Sequence, residues 1–295
     1  MSRLKAYVQA ARLRTLPLAS ACVLTAGALA LESGTCEMAG LVGAMLTVWL
    51  LQILANFAND LGDAKHGADA HRSDRVVASG TISSDAMKRA VRVLAVLALT
   101  SGLATIWLAG ASWLWVPVGL LSMLGAYRYT AGDRPYGYAG WGDAAVMLFF
   151  GLLGVVGVAF LISGTFKFVW LLPAWTLGTF SASVLNLNNL RDHLTDAIAG
   201  KRTLVVQRGF AWGIRYHGAL LLTGWIALIG MFIAMPGVWR GVEWYAVFAL
   251  VHTQQFLRVR RVTADRAAEL DPELKRMALS TAVIALFLFL SQLNP

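Results

Sequence analysis

The sequence predicts an all-α polytopic membrane protein of about nine transmembrane helices, and three observations carry that expectation. The 295 residues are 58% hydrophobic and only 14% charged, where a soluble domain carries roughly a quarter charged residues. The apolar residues fall into long blocks rather than amphipathic stripes, which argues against a large soluble helical protein. Positive charge is divided unevenly between the segments that separate those blocks.

The blocks run about 17–31, 39–58, 90–110, 113–131, 143–163, 169–190, 216–235, 244–257 and 277–293. The first and eighth are short for the roughly 20 residues a span needs. The first follows a basic segment and could be misread as a secretory leader; cleavage there would leave the basic loops on the wrong side. The second contains LVGAMLTVWLLQILA, without a charge, and runs straight into the polar stretch NFANDLGDAKHGAD. The remaining blocks are uniformly apolar, with acids only at margins such as Asp143. Cys22 lies in the first block and Cys36 in a short loop, so no disulfide framework is expected. The chain reads as a single domain, 1–295.

With the N-terminus placed in the cytoplasm, the inner segments are 1–16, 59–92, 127–142, 191–215 and 258–276, and they hold 23 of the 25 Lys and Arg residues. Lys167 and Arg240 alone remain outside. This is the positive-inside pattern of a multi-pass membrane protein whose N-terminus lies in the cytoplasm. It accounts for the net charge of +9 without nucleic acid as a partner.

Two inner loops concentrate the polar chemistry. Asp60 and Asp63 are spaced i, i+3, and Asp192 and Asp196 are spaced i, i+4. Either spacing sets a carboxylate pair on one helix face. Four carboxylates meeting at one membrane interface repel one another and require cations. An oxygen donor set without cysteine suits a hard ion such as Mg²⁺, which binds through a few carboxylates and substrate phosphates. Arg72, Arg75, Lys88, Arg191, Lys201, Arg202 and Arg208 are available in the same loops for phosphate oxygens. His66, His71 and His193 form no recognised metal motif and read as solvated loop residues. The expected site is therefore a receptor for a Mg²⁺-diphosphate. A transporter is the competing class, but its acids belong at the bilayer midplane rather than at helix ends.

Asn56-x-x-Asn59-Asp60-x-x-Asp63-x-x-x-Gly67-x-Asp69, with Asn189-x-x-Asp192-x-x-x-Asp196-x-x-x-Gly200-Lys201-x-Thr203-Leu204, resembles the UbiA superfamily of intramembrane aromatic prenyltransferases. Arg12-x-Arg14-Thr15-Leu16-Pro17 and Tyr129-Thr130 followed by Arg134-Pro135-Tyr136-Gly137-Tyr138 extend the resemblance over nearly the whole chain. Asp69 comes six residues after Asp63 rather than four, which favours the branch acting on 1,4-dihydroxy-2-naphthoate. Leu61 and Leu13 depart from the family's usual tyrosine and proline.

The resemblance implies helices around a central cavity with a cytoplasmic cap. It implies polyprenyl transfer from a polyprenyl diphosphate to dihydroxynaphthoate, with loss of CO₂ and diphosphate, giving demethylmenaquinol. Asp60, Asp63, Asp192 and Asp196, aided by Asn56, Asn59 and Asn189, would hold the metal. Arg75, Arg134, Lys201 and Arg208 would hold diphosphate; Tyr129, Tyr136 and Arg12 would meet the aromatic substrate. Asp69 joins the catalytic acids, with it or Asp196 as the candidate base. Tyr129, Arg134 and Tyr136 also fit a plainer role as interfacial anchors, and Arg12, with Arg14, that of a topological signal flanking the first span. The alternative ring substrates are 4-hydroxybenzoate and homogentisate.

Overall fold

The computed structural model describes residues 2–67, 75–236 and 238–293. Among these there are helices and no strand. α1, Arg3–Ala11, is N-capped by Ser2, whose hydroxyl accepts from Lys5 N at 3.4 Å. α2, Leu16–Glu32, carries Pro17 in its first turn, where the missing N–H costs nothing. α3, Met38–His66, is closed by Gly67 at φ 75°, the left-handed conformation glycine adopts without penalty. α4, Ser84–Leu108, begins at a Ser83 cap bonded to Ala86 N. α5 is Trp115–Arg128, and a short 3₁₀ turn follows at Tyr136–Ala139.

The second half continues with α6, Gly142–Ser163, which contains a π-helical stretch at Met147–Gly157. α7, Leu171–Arg191, is followed by two short helices, α8 (His193–Ile198) and α9 (Leu204–Arg208). α10 (Phe210–Ala234), α11 (Tyr245–Val259) and α12 (Asp271–Leu293) complete the chain.

Each apolar block of the sequence lies on a helix, but seven segments among the described residues are long and apolar enough to cross a membrane. The other two, α5 and α11, have 14 and 15 residues. At about 1.5 Å per residue they fall short of a roughly 30 Å hydrocarbon core. All nine expected blocks thus lie on helices, seven of them long and apolar enough to span among the described residues and two shorter.

α7 is the central element. Trp170 just before it, and Leu177, Phe180 and Leu187 on it, are 0% exposed. They pack with Leu228 and Met231 of α10 and Ile284 and Leu288 of α12. A second cluster joins α1, α3 and α4 through Ala6, Phe57, Ile82 and Met87. Glycines admit the tightest crossings, as small residues do between membrane helices. A Cβ on Gly151 would press on Ala174 O and the Gly178 backbone.

Gly62 on α3 is the crossing that matters for the site. A Cβ there would run into the carbonyl oxygen of Thr130 and crowd Ala131 N, both backbone atoms. Gly62→Ala should therefore push the segment after α5 away from α3. The expected cost is about 1–3 kcal/mol, as for other overpacked sites, read as a lower melting temperature in detergent with reduced activity. An unchanged melting temperature would refute the tight crossing.

Candidate active site

The first motif occupies the last turns of α3. Asn56, Asp60 and Asp63 share one side of that helix and are buried, Asp60 to 2% exposure. A buried carboxylate must be paired to be tolerated, and residues outside α3 supply the pairing. Arg12 Nη2 donates to Asp60 Oδ1 at 3.1 Å, and Arg75 Nη1 lies 3.5 Å from the same oxygen. Asn56 donates to Ala11 O at 2.8 Å and to Thr15 Oγ1 at 3.1 Å. Its amide thus fastens the turn that carries Arg12. Arg12 is the one non-glycine residue of positive φ, 48°, among those described. That left-handed backbone costs about 1–2 kcal/mol, and it turns the chain between α1 and α2 where the guanidinium meets Asp60.

The second motif begins where α7 ends. Asp192 sits at the break between α7 and α8, so its pair with Asp196 spans a kink rather than a continuous helix. Arg191 grips Asp192 with Nε on Oδ1 at 2.7 Å and Nη2 on Oδ2 at 2.6 Å. It also reaches Asp271 Oδ1 at 2.6 Å. Asp196, one turn on, is buried, with Lys201 Nζ 3.6 Å from its Oδ1. Burial pushes the Asp196 carboxyl up to about 6, against the pull of Lys201.

Lys201 connects the two motifs. Burial by itself would lower its pKa, but Asp63 from the first motif and Asp196 from the second together hold it above its ordinary value. One buried ammonium therefore sits in the field of both loops. Tyr138 reinforces the junction: its hydroxyl donates to Asp63 Oδ1 at 2.8 Å. Its ring lies 5.5 Å from Lys201 Nζ, and its carbonyl accepts from Arg202 N at 2.9 Å.

Tyr138 stands in the motif quoted above without an assigned role; 75 residues separate it from Asp63, beyond the reach of any local pattern. Tyr138→Phe removes a hydrogen bond to a charged group, worth about 1.5–3 kcal/mol. The expected outcome is a loss of tenfold or more in kcat/KM with the fold intact. Full activity would reduce Tyr138 to packing.

The other candidates are distributed more widely. Tyr129 and Tyr136 meet edge to face at 5.5 Å, and the Tyr136 hydroxyl is held by Gly125 O at 2.8 Å. Tyr129, Asn189 and Thr203 border, with Asp143, a crevice too narrow to hold a water molecule. Asn59 and Asn189 are buried, whereas Arg134 and Arg208 are exposed. Arg208 lies over the Trp212 ring at 5.6 Å. Asp69, His71 and Arg72 lie outside the described residues. Asp143 received no role from the sequence, where it reads as the margin of an apolar block. It is buried, and its Oδ1 has no hydrogen-bond partner among the described residues.

Among the described residues, no three His, Cys, Asp or Glu side chains form a ready metal cage. The carboxylates are instead engaged by arginine, lysine and tyrosine. Asp60 Oδ2 and Asp196 Oδ2 are nevertheless buried without a hydrogen-bond partner among the described residues. Two open carboxylate oxygens, one per motif, fit a hard cation that takes its remaining ligands from a substrate phosphate.

Residues 20–291 match the UbiA prenyltransferase family. The chain belongs to the UbiA prenyltransferase family. Within that family it is 36% identical over 303 residues to a 1,4-dihydroxy-2-naphthoate octaprenyltransferase of Escherichia coli K12, covering 99% of this chain and 97% of the relative. An enzyme of the same name from Mycobacterium tuberculosis is 37% identical, over 97% and 96% of the two chains. The fold is shared with a UbiA homologue from Archaeoglobus fulgidus solved with GPP and Mg²⁺. That match has a TM-score of 0.60 at 15% identity and covers 95% and 99% of the two chains. A digeranylgeranylglyceryl phosphate synthase structure gives a TM-score of 0.61 at 16% identity, over 97% and 99%. The family homologue has also been solved with Cd²⁺. This family member is accordingly a multi-pass membrane protein and an aromatic prenyltransferase.

Proposed function

We propose that this prenyltransferase transfers a polyprenyl group from a polyprenyl diphosphate to 1,4-dihydroxy-2-naphthoate, releasing diphosphate and CO₂ and giving demethylmenaquinol, a step of menaquinone biosynthesis. The observation that carries the reading is the meeting of two acidic motifs at Lys201, in a chain aligned almost end to end with enzymes of that name. Mg²⁺ is the proposed metal, which Asp60, Asp63, Asp192 and Asp196 would hold with Asn56, Asn59 and Asn189. When bound, it supplies positive charge that stabilises the departing diphosphate.

The protein's own groups do the remaining work. Arg12, Arg75, Arg191 and Lys201 already stand beside the carboxylates, where they stabilise negative charge developing on the leaving group. Breaking the allylic C–O bond leaves its electron pair on diphosphate and a cationic prenyl carbon. The electron-rich ring carbon that bears the carboxylate attacks this carbon. The C–COO⁻ electron pair then returns to the ring as CO₂ departs, so no ring proton has to be removed at that carbon. Water would capture the cation; the packing of Tyr138, Lys201 and Arg202 across the motifs supports its exclusion. The positive-inside distribution supports a bacterial inner-membrane location, with the N-terminus and the carboxylate end in the cytoplasm.

Membranes containing the protein should release label from ring substrate carrying ¹⁴C in its carboxylate, in proportion to prenylated product. Release should require the polyprenyl diphosphate, because the ring carbon loses CO₂ readily only after the prenyl group has attached. With 4-hydroxybenzoate the carboxylate would be retained. Prenylated product that accumulates with its label intact would overturn the naphthoate assignment.

A further inference from the structure

A cleft of about 400 Å³ opens between α3, α4 and α5, away from the carboxylate site. Its apolar walls are Leu54 and Leu61 of α3, Val91 and Ala95 of α4, and Met123 of α5. At 3.6 residues per turn, Leu54 and Leu61 lie on the side of α3 opposite Asn56, Asp60 and Asp63. The cleft is therefore separated from the site by the thickness of a helix. Its volume lies within the range of small-ligand pockets, roughly 300–1,000 Å³.

Two features identify what fits it. The helix surfaces beside it are apolar and exposed, with Val96 and Leu97 on α4 and Leu121 and Leu124 on α5 between 47% and 64% exposed. In a membrane protein such surfaces are covered by acyl chains. Tyr127 also lines the cleft, and its charged residues are Lys88 and Arg92, spaced i, i+4 and thus on one face of α4. Both lie near the start of α4, at the same end of the bundle as the carboxylates. Arg92 is exposed and makes no hydrogen bond or ion pair among the described residues. Lys88 pairs with Asp85 at 3.1 Å, but the two side chains are 57% and 79% exposed. Such an exposed pair is weak and leaves the ammonium available to a stronger anion. Arg89, exposed on the same turn, adds a further positive charge.

We propose that this cleft binds one anionic phospholipid of the leaflet at the carboxylate end, with its phosphate between Lys88 and Arg92 and an acyl chain along Leu54, Leu61 and Met123. Basic pockets between membrane helices on the cytoplasmic side select acidic headgroups in this way. A zwitterionic lipid gains less, because its own cation opposes the two side chains.

The test uses the full-length protein reconstituted in phosphatidylcholine with phosphatidylglycerol present, and reads retained lipid by native mass spectrometry. The wild type should retain phosphatidylglycerol in preference to phosphatidylcholine. Arg92→Gln should lower that preference about tenfold, as expected for one lost charge-assisted hydrogen bond. Ala95→Trp, which fills the cleft and leaves both cations, should lower it as well; Ala95→Leu serves if the larger residue prevents folding. Glycerophosphate, a headgroup without chains, should not compete. Both variants should keep prenyl transfer in neutral detergent, since neither residue belongs to the carboxylate site. Equal retention by wild type and both variants would overturn the proposal. Displacement of phosphatidylglycerol by polyprenyl diphosphate would also overturn it, by assigning the cleft to the substrate's tail.

Discussion

Alanine at Asp63 or Asp196 should lower prenyl transfer by about 10²–10³-fold, the effect of removing one group that stabilises charge in a transition state. Asp63 is the cleanest position, because the Tyr138 hydroxyl rather than a guanidinium donates to it. Asp192→Ala should behave similarly, although Arg191 keeps Asp271 as a second anchor. Asp60→Ala carries a further cost. It leaves Arg12 and Arg75 together with their carboxylate gone, and breaking a buried pair costs about 3–5 kcal/mol. Asp60→Asn preserves the shape and removes the charge, so it separates catalysis from stability. Turnover should be measured on protein shown to be monodisperse. Near wild-type rates in any two of these variants would return the motifs to ordinary loop acids.

Excess chelator should abolish turnover, and added Mg²⁺ should restore it. The carboxylate oxygens Asp60 Oδ2 and Asp196 Oδ2 are buried with no hydrogen-bond partner among the described residues, so a diphosphate approaching them meets uncompensated acceptors. A divalent cation removes that repulsion and completes its coordination with phosphate oxygens. Full turnover in excess chelator would eliminate the two-motif metal site. Ca²⁺, larger and less demanding in geometry, should restore less activity than Mg²⁺.

Much of this was legible in the sequence because it depends on composition and short spacings. The membrane blocks and the acidic pairs are local patterns; helices and motif residues follow them directly. The shortness of α11 was already visible in the eighth block, whereas that of α5 was hidden because its apolar flanks blend into loops. What sequence spacing cannot carry is tertiary pairing. Arg12 meets Asp60 across 48 residues and Tyr138 meets Asp63 across 75. Neither contact leaves a periodic trace. The strained backbone at Arg12 is equally silent, since arginine has no special preference for positive φ. Asp143 was visible as a charge, but only its burial at the start of α6 separates it from an ordinary helix-end acid.

The cationic side chains beside the motif carboxylates have a consequence for the order of events. Among the described residues, Arg12, Arg75, Arg191 and Lys201 stand against Asp60, Asp63, Asp192 and Asp196, so the resting site is close to electroneutral. A bare divalent ion arriving first would meet four positive groups, and a bare diphosphate would meet four negative ones. Arriving together, they would leave the total nearly unchanged: Asp60, Asp63, Asp192 and Asp196 would hold the metal while Arg12, Arg75, Arg191 and Lys201 would turn to phosphate oxygens. Substrate entry would then be a partner exchange between two sets of ions that each nearly balance. Such an exchange would disfavour idle metal loading and would couple occupancy of the site to the arrival of the lipid diphosphate.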